Sequence, residues 1–140
     1  MIKAMKINGC PIDGVGFQSH FETSMDSQDF YNGVRQNVKR YASINVEVHM
    51  SEVDIRCESK GGPHCVPGFT WNAENLNKQS SMYWNLLNIC IEEWNCKSFQ
   101  MWGLTDKYSW LNNDQKGLPW DVNMQKKGSY YAMRDLMNSK

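Results

Sequence analysis

Short β-patterned runs alternate along this chain with longer stretches of helical spacing, and few folds accommodate that order. Gly14-Val15-Gly16-Phe17-Gln18 reads as a first strand, Asn45 to Ile55 as a second and Ser98 to Trp102 as a third. Between the first two, Phe30, Val34, Val38 and Tyr41 recur at helical spacing, with Asp26 or Ser27 placed to cap the start. A second helix is expected from about Ala73 to Trp94, with Leu76, Tyr83, Leu87, Cys90 and Trp94 along one side. Tyr130, Met133 and Met137 mark a last helix, and residues 1–7 look like the end of an earlier one. A Gly/Pro-rich loop separates the second strand from its helix, from Arg56 to about Thr70. The order βαβαβα is that of an α/β chain, a parallel sheet wrapped by helices. Three strands close no barrel, and an open sheet of three leaves two bare edges. The chain therefore reads as a piece of a larger architecture.

Its 140 residues suffice for one domain with a core and are too few for two ordinary ones. Fifteen basic and fifteen acidic side chains cancel and are scattered, which gives no electrostatic basis for binding nucleic acid or an anionic membrane. No apolar run approaches the ~20 residues that cross a bilayer. Met1 to Cys10 does not read as a signal peptide. No cofactor is expected.

The second strand ends in chemistry. Glu52 and Asp54 stand two residues apart, so period two sends both to one face. The same period puts Val46, Val48 and Met50 on that face and turns His49 outward, toward helices. An apolar strand that finishes on two acids suits a buried barrel strand ending at a catalytic mouth. The first strand ends in the same way, with Gln18 and His20 two apart. Six Trp and six Tyr either fill core space or offer flat faces to sugar rings.

Of five cysteines, Cys90 and Cys96 bracket the expected helix-to-strand turn, and Cys57 and Cys65 flank the loop that follows the two acids. Each pair is placed to form a bridge, which implies an oxidising setting and leaves Cys10 over. A zinc site built on Cys57, His64 and Cys65 lacks a fourth ligand at familiar spacing, and no metal is expected.

Three segments carry a resemblance. Pro11 to Phe21, with Gln18 and His20 inside it, resembles the sixth-strand motif of family ten glycoside hydrolases, the retaining endo-1,4-β-xylanases. Ser51-Glu52-Val53-Asp54-Ile55-Arg56 is similar to that family's seventh-strand nucleophile motif, and Trp102 to Leu111 to its eighth-strand motif. The resemblance implies that residues 1–140 are part of one catalytic domain, the last three strands and helices of a (β/α)8 TIM barrel. By the same resemblance Glu52 is the nucleophile, Gln18 binds the sugar at the cleavage point, and His20 and Asp54 form a network around Glu52. Trp102 and Trp110 then belong to the wall that holds xylose rings, and Cys90 and Cys96 sit where many fungal members have a bridged pair. Xylan and xylo-oligosaccharides are the implied partners, together with the upstream barrel strands, and the full-length protein is expected to be secreted.

The pattern breaks at the acid/base glutamate. The family carries it in an Asn-Glu pair on the fourth strand, and no Asn-Glu dipeptide occurs here. Glu74, Glu92 and Glu93 fall on the helix after the acidic strand, away from a mouth at the strands' C-terminal ends. Asp106, Lys107, Asp121 and Lys127 read as structural. The expected function is the nucleophile-bearing portion of a xylanase, weakly active or inactive by itself. The competing readings are a non-catalytic xylan-binding protein and a partial barrel that self-associates over its bare edges.

Overall fold

The computed structural model describes all 140 residues. The elements run α1 (Ile2–Ile7), β1 (Gly14–Phe17), β2 (His20–Glu22), α2 (Gln28–Ala42), β3 (Glu47–Arg56), α3 (Ala73–Glu92), β4 (Cys96–Met101) and α4 (Gly128–Asn138). Single 3-10 turns at Thr23–Met25 and Asp106–Tyr108 interrupt the connections.

All strand pairs are parallel, and β3 is central: β1 and then β2 pair along it, and β4 also pairs with it. The expected first strand is two short ones, because Ser19 takes a positive φ of 69° between Phe17 and His20. The Ser19 hydroxyl donates to the Phe17 carbonyl at 3.1 Å, a local bond that helps a non-glycine residue tolerate this region. Beyond Trp102, the backbone of residues 115–117 takes over as partner of β3, with Ile55 N–H donating to Gly117 O at 3.0 Å.

β3 carries one extra residue. Met50 pairs with Phe17 and Asp54 with His20, leaving three residues of β3 opposite two; against β4, Met50 pairs with Phe99 and Val53 with Met101, leaving two opposite one. The bulge at Ser51-Glu52 therefore reverses the alternation. Val48 and Met50 before it, and Val53 and Ile55 after it, all pack into the core shared with the helices. Strict period two fails here: Glu52 and Asp54 point away from the face of Val48 and Met50, and His49 shares their side of the sheet. His49 Nδ1 lies 2.9 Å from Ser98 Oγ, so it is not turned toward the helices as expected.

The helices cover the other face. Ser27 caps α2, its hydroxyl accepting from Phe30 N–H at 3.3 Å, and Asn72 caps α3 through Asn75 N–H at 3.0 Å. α3 buries Met82, Tyr83, Leu86, Leu87 and Ile89 against the sheet, each fully buried apolar side chain contributing about 1.5–3 kcal/mol. The expected stripe was displaced: Leu76 is exposed in the first turns, and Trp94 lies past the helix end and is 61% exposed. Gln79 occupies the buried position instead, donating to the Ile55 and Lys116 carbonyls at 2.6 and 2.7 Å.

Two disulfides join Cys57 to Cys65 and Cys90 to Cys96, and Cys10 is free and exposed. The first bond consumes both thiols that a zinc site would use. Replacing Cys90 and Cys96 by serine is expected to destabilise the chain by ~2–3 kcal/mol, as loop closure in the unfolded state is lost. Urea unfolding of the double variant checks this, and an unchanged midpoint contradicts it.

Candidate active site

The bulge and the left-handed Ser19 together assemble a cluster at the C-terminal end of β3. His20 is directly opposite Asp54 in the parallel ladder, and both project to the face that the helices leave open. His20 Nε2 lies 3.2 Å from Glu52 Oε2, and its Nδ1 lies 3.0 Å from Asp54 Oδ2. One imidazole thus spans two carboxylates. The side chains of His20 and Glu52 are about a fifth exposed, whereas that of Asp54 is fully buried.

The third contributor arrives from far along the chain. Trp110 donates its indole N–H to Asp54 Oδ2 at 2.7 Å, and its ring centre stands 5.1 Å from that of His20. The segment after β4 folds back over β3 to place it. Gly117 O accepts from Ile55 N–H and from the Tyr83 hydroxyl at 2.8 Å, and Asp106 accepts from Leu118 N–H at 2.8 Å. Gly103, at φ 132°, lets Leu118 approach: a Cβ there would sit 2.9 Å from a Leu118 methyl. Asp106 also meets Lys127 Nζ at 3.1 Å; burial pushes the Asp106 carboxyl up and the Lys127 amine down, and each partner opposes the other's shift. Lys107 stands over the Tyr108 ring, and its backbone N–H donates to Thr105 Oγ1 at 3.2 Å.

Burial raises the Asp54 carboxyl above its ordinary range, against the Trp110 hydrogen bond, the His20 ring and the Arg56 guanidinium, which all pull it down. Its second oxygen, Oδ1, is buried without a partner. Arg56 follows on the same face and meets Glu22 at 3.3 Å, and Ser59 donates to the same Glu22 oxygen at 2.5 Å. Burial favours a protonated Glu22, but the hydrogen bonds from Ser59 and the Arg56 charge outweigh it and hold that carboxyl below its usual range.

Chemically, the cluster keeps one partly exposed carboxylate facing outward. His20 can hydrogen-bond Glu52 through Nε2 while its Nδ1 faces Asp54 behind the ring. Since Asp54 titrates higher folded than unfolded, its contribution to stability is complete below the unfolded value and is lost as pH rises through the folded one. Asp54→Asn is therefore expected to melt no lower than the parent chain at neutral pH, with the difference shrinking as pH falls below about 4. Melting curves across that range check it, and a variant that is less stable at pH 7 than at pH 3, relative to the parent, contradicts it.

Of the other candidate residues, Gln18 is exposed and makes no side-chain hydrogen bond. Trp102 is 48% exposed, and its backbone N–H donates to Val53 O at 3.1 Å. Glu74 pairs with Lys78, and Glu92 and Glu93 with Arg35, all outside the cluster. His64 meets Asp114 on the loop surface.

The family model for glycosyl hydrolase family 10 matches residues 1–136. An endo-1,4-beta-xylanase B from Thermotoga neapolitana is 34% identical over 144 aligned residues, which take in 100% of this chain and 38% of that protein. An endo-1,4-beta-xylanase A from Phanerodontia chrysosporium is 31% identical over 93% of the chain and 29% of its own length. Among solved structures, xylanase 10B from Thermotoga petrophila RKU-1 in complex with xylobiose superposes with a TM-score of 0.84 at 31% identity. That superposition covers 99% of this chain and 40% of the solved one. The chain thus spans about two fifths or less of the relatives it matches.

Proposed function

The chain belongs to glycosyl hydrolase family 10, and we propose that it is the nucleophile-bearing portion of a retaining endo-1,4-β-xylanase. Its β1 with β2, its β3 and its β4 are the sixth, seventh and eighth strands of a (β/α)8 barrel. Residues 1–140 then form part of a single catalytic domain, completed by upstream strands. The observation that carries the reading is His20 held between Glu52 and Asp54 at 3.2 and 3.0 Å.

In this reading Glu52 attacks the anomeric carbon of a β-1,4-linked xylose. The bond to the leaving oxygen breaks, and a second carboxyl group, about 5–5.5 Å away across the sugar, delivers a proton to that oxygen. Water then hydrolyses the glycosyl-enzyme ester. His20 orients Glu52, Asp54 anchors His20, and Trp110 holds Asp54 while offering its exposed face to a sugar ring. Gln18 and Trp102, both exposed at the ends of their strands, are assigned to sugar binding. Xylan and xylo-oligosaccharides are the substrates; the two disulfides support secretion of the whole protein.

The family's acid/base glutamate belongs to an Asn-Glu pair that this sequence lacks, so the 140-residue chain alone should hydrolyse xylan about 10²–10⁴-fold more slowly than the chain extended upstream to a full barrel. Reducing-sugar release from β-1,4-xylan by the two proteins tests this. Comparable rates would place the proton donor within this chain; binding of xylo-oligosaccharide by the full barrel without hydrolysis would favour a non-catalytic xylan-binding protein.

A further inference from the structure

A concavity lies on the same end of the sheet as Glu52 and is bordered by none of the cluster residues. It has a volume of about 580 Å³ and sits between the 3-10 turn after β2, the loop after β3 and the first turns of α3. We propose that it is a separate binding pocket for one neutral pentose residue of a xylan chain. The proposal rests on the xylan reading of the active site and adds a contact that the cleavage chemistry does not use.

Its walls are fixed in advance. The Cys57–Cys65 bond closes the base of the loop, Val66 N–H donates to Glu58 O at 2.9 Å, and Ser59 reaches back to Glu22. On the far side Asp114 holds the loop, accepting from Cys65 N–H at 3.0 Å and, through its carbonyl, from the Trp71 indole at 2.7 Å, and meeting His64 at 3.3 Å. Asn75 donates to Thr70 O at 2.8 Å, joining the loop to α3. Such a loop spends little entropy on ordering when a ligand enters.

Two polar side chains on the wall, those of Thr23 and Glu58, are idle, whereas Asn72, Asn75 and Lys78 are engaged within the chain. Thr23 is 2% exposed, yet its hydroxyl has no partner within the chain, and the residue borders the cavity. The Glu58 carboxylate, also on the wall, makes neither a hydrogen bond nor an ion pair. Lys78, the one cation there, is occupied by Glu74 at 2.7 Å. A free carboxylate and hydroxyls call for a ligand rich in O–H donors and without negative charge. Phe69 is the one aromatic ring on the wall, a surface for the C–H face of a sugar. A neutral pentose meets these terms, and an arabinosyl branch and a backbone xylose present the same chemistry; a uronic acid does not, because Glu58 would repel it.

Isotope-labelled 140-residue chain, titrated with linear xylohexaose, with an arabinosyl-substituted xylo-oligosaccharide and with a glucuronosyl-substituted one, tests the pocket by amide shifts. Shifts at Thr23, Glu58, Phe69 and Thr70 are expected with at least one neutral sugar. The linear sugar assigns the pocket to backbone xylose, and a response to the arabinosyl sugar alone assigns it to the branch. Phe69→Ala should raise the Kd read at those amides by about fivefold, and Glu58→Gln, which keeps shape and removes charge, should admit the glucuronosyl sugar. Trp110→Phe should leave these shifts intact. No shift at the four residues, a response confined to the uronosyl sugar, or insensitivity to Phe69→Ala overturns the proposal. Shifts confined to the Trp102 and Trp110 indoles would overturn the pocket and leave the xylanase reading standing; pocket shifts with an inactive full barrel would do the reverse.

Discussion

Glu52→Gln in the full barrel is expected to lower the rate of xylan hydrolysis by at least about 10⁴-fold, the order of loss seen when a covalent nucleophile is removed. The amide keeps the side chain's shape and its hydrogen-bonding distance to His20 Nε2, 3.2 Å in the parent, so the fold should be untouched. What disappears is an anionic oxygen able to form the glycosyl ester. Unchanged melting with a collapsed rate is the expected pair of results. A variant that keeps a tenth or more of the parent rate would remove Glu52 from the role.

His20→Ala carries the second large effect, a loss of about 10²-fold or more in the same assay. The imidazole separates two carboxylates that would otherwise face each other, and it is the one side chain that contacts both. Without it Glu52 loses a hydrogen-bond donor and faces Asp54 directly. The loss should fall on kcat, with KM for xylo-oligosaccharide little changed. A purely structural histidine would lower the amount of folded protein and leave kcat per folded molecule alone. His20→Asn, which can still donate one hydrogen bond, should recover part of the loss; a kcat per folded molecule equal to the parent's in both variants contradicts the assignment.

The order and kinds of elements were legible in the sequence, because Phe30, Val34, Val38 and Tyr41 keep helical spacing and the three strands are bounded by turns. The direction in which β3 presents its side chains was not. Period two places Glu52 with Met50, yet the bulge at Ser51-Glu52 sets them on opposite faces and brings His49 to the open side. A bulge in a central strand is specified by both neighbours at once, here Ser19 with its positive φ on one side and Gln100 on the other, and no local pattern announces it. His20 reaches both acids across the bulge, at 3.2 Å from Glu52 and 3.0 Å from Asp54.

Trp110 shows the opposite case. Its motif was readable, but its bond to Asp54 depends on a loop that folds back through Gly117 and Leu118, contacts of long sequence separation that spacing does not encode. The α3 stripe missed Gln79 for a similar reason. A glutamine is not counted as core, yet it satisfies two carbonyls where β3 meets the returning loop. The disulfides lay between these extremes, with the spacing marking the pairs and the structure supplying their closure.

Trapping the reaction part-way tests the central assignment most directly. A 2-deoxy-2-fluoro xylobioside with a dinitrophenolate leaving group needs no proton from an acid, and its fluorine slows hydrolysis of the ester that forms. Incubated with the full barrel and followed by peptide mass spectrometry, it should leave one fluoroxylobiosyl group on Glu52, with release of one equivalent of dinitrophenolate. A label on another residue, or dinitrophenolate release with no covalent adduct, would contradict the account.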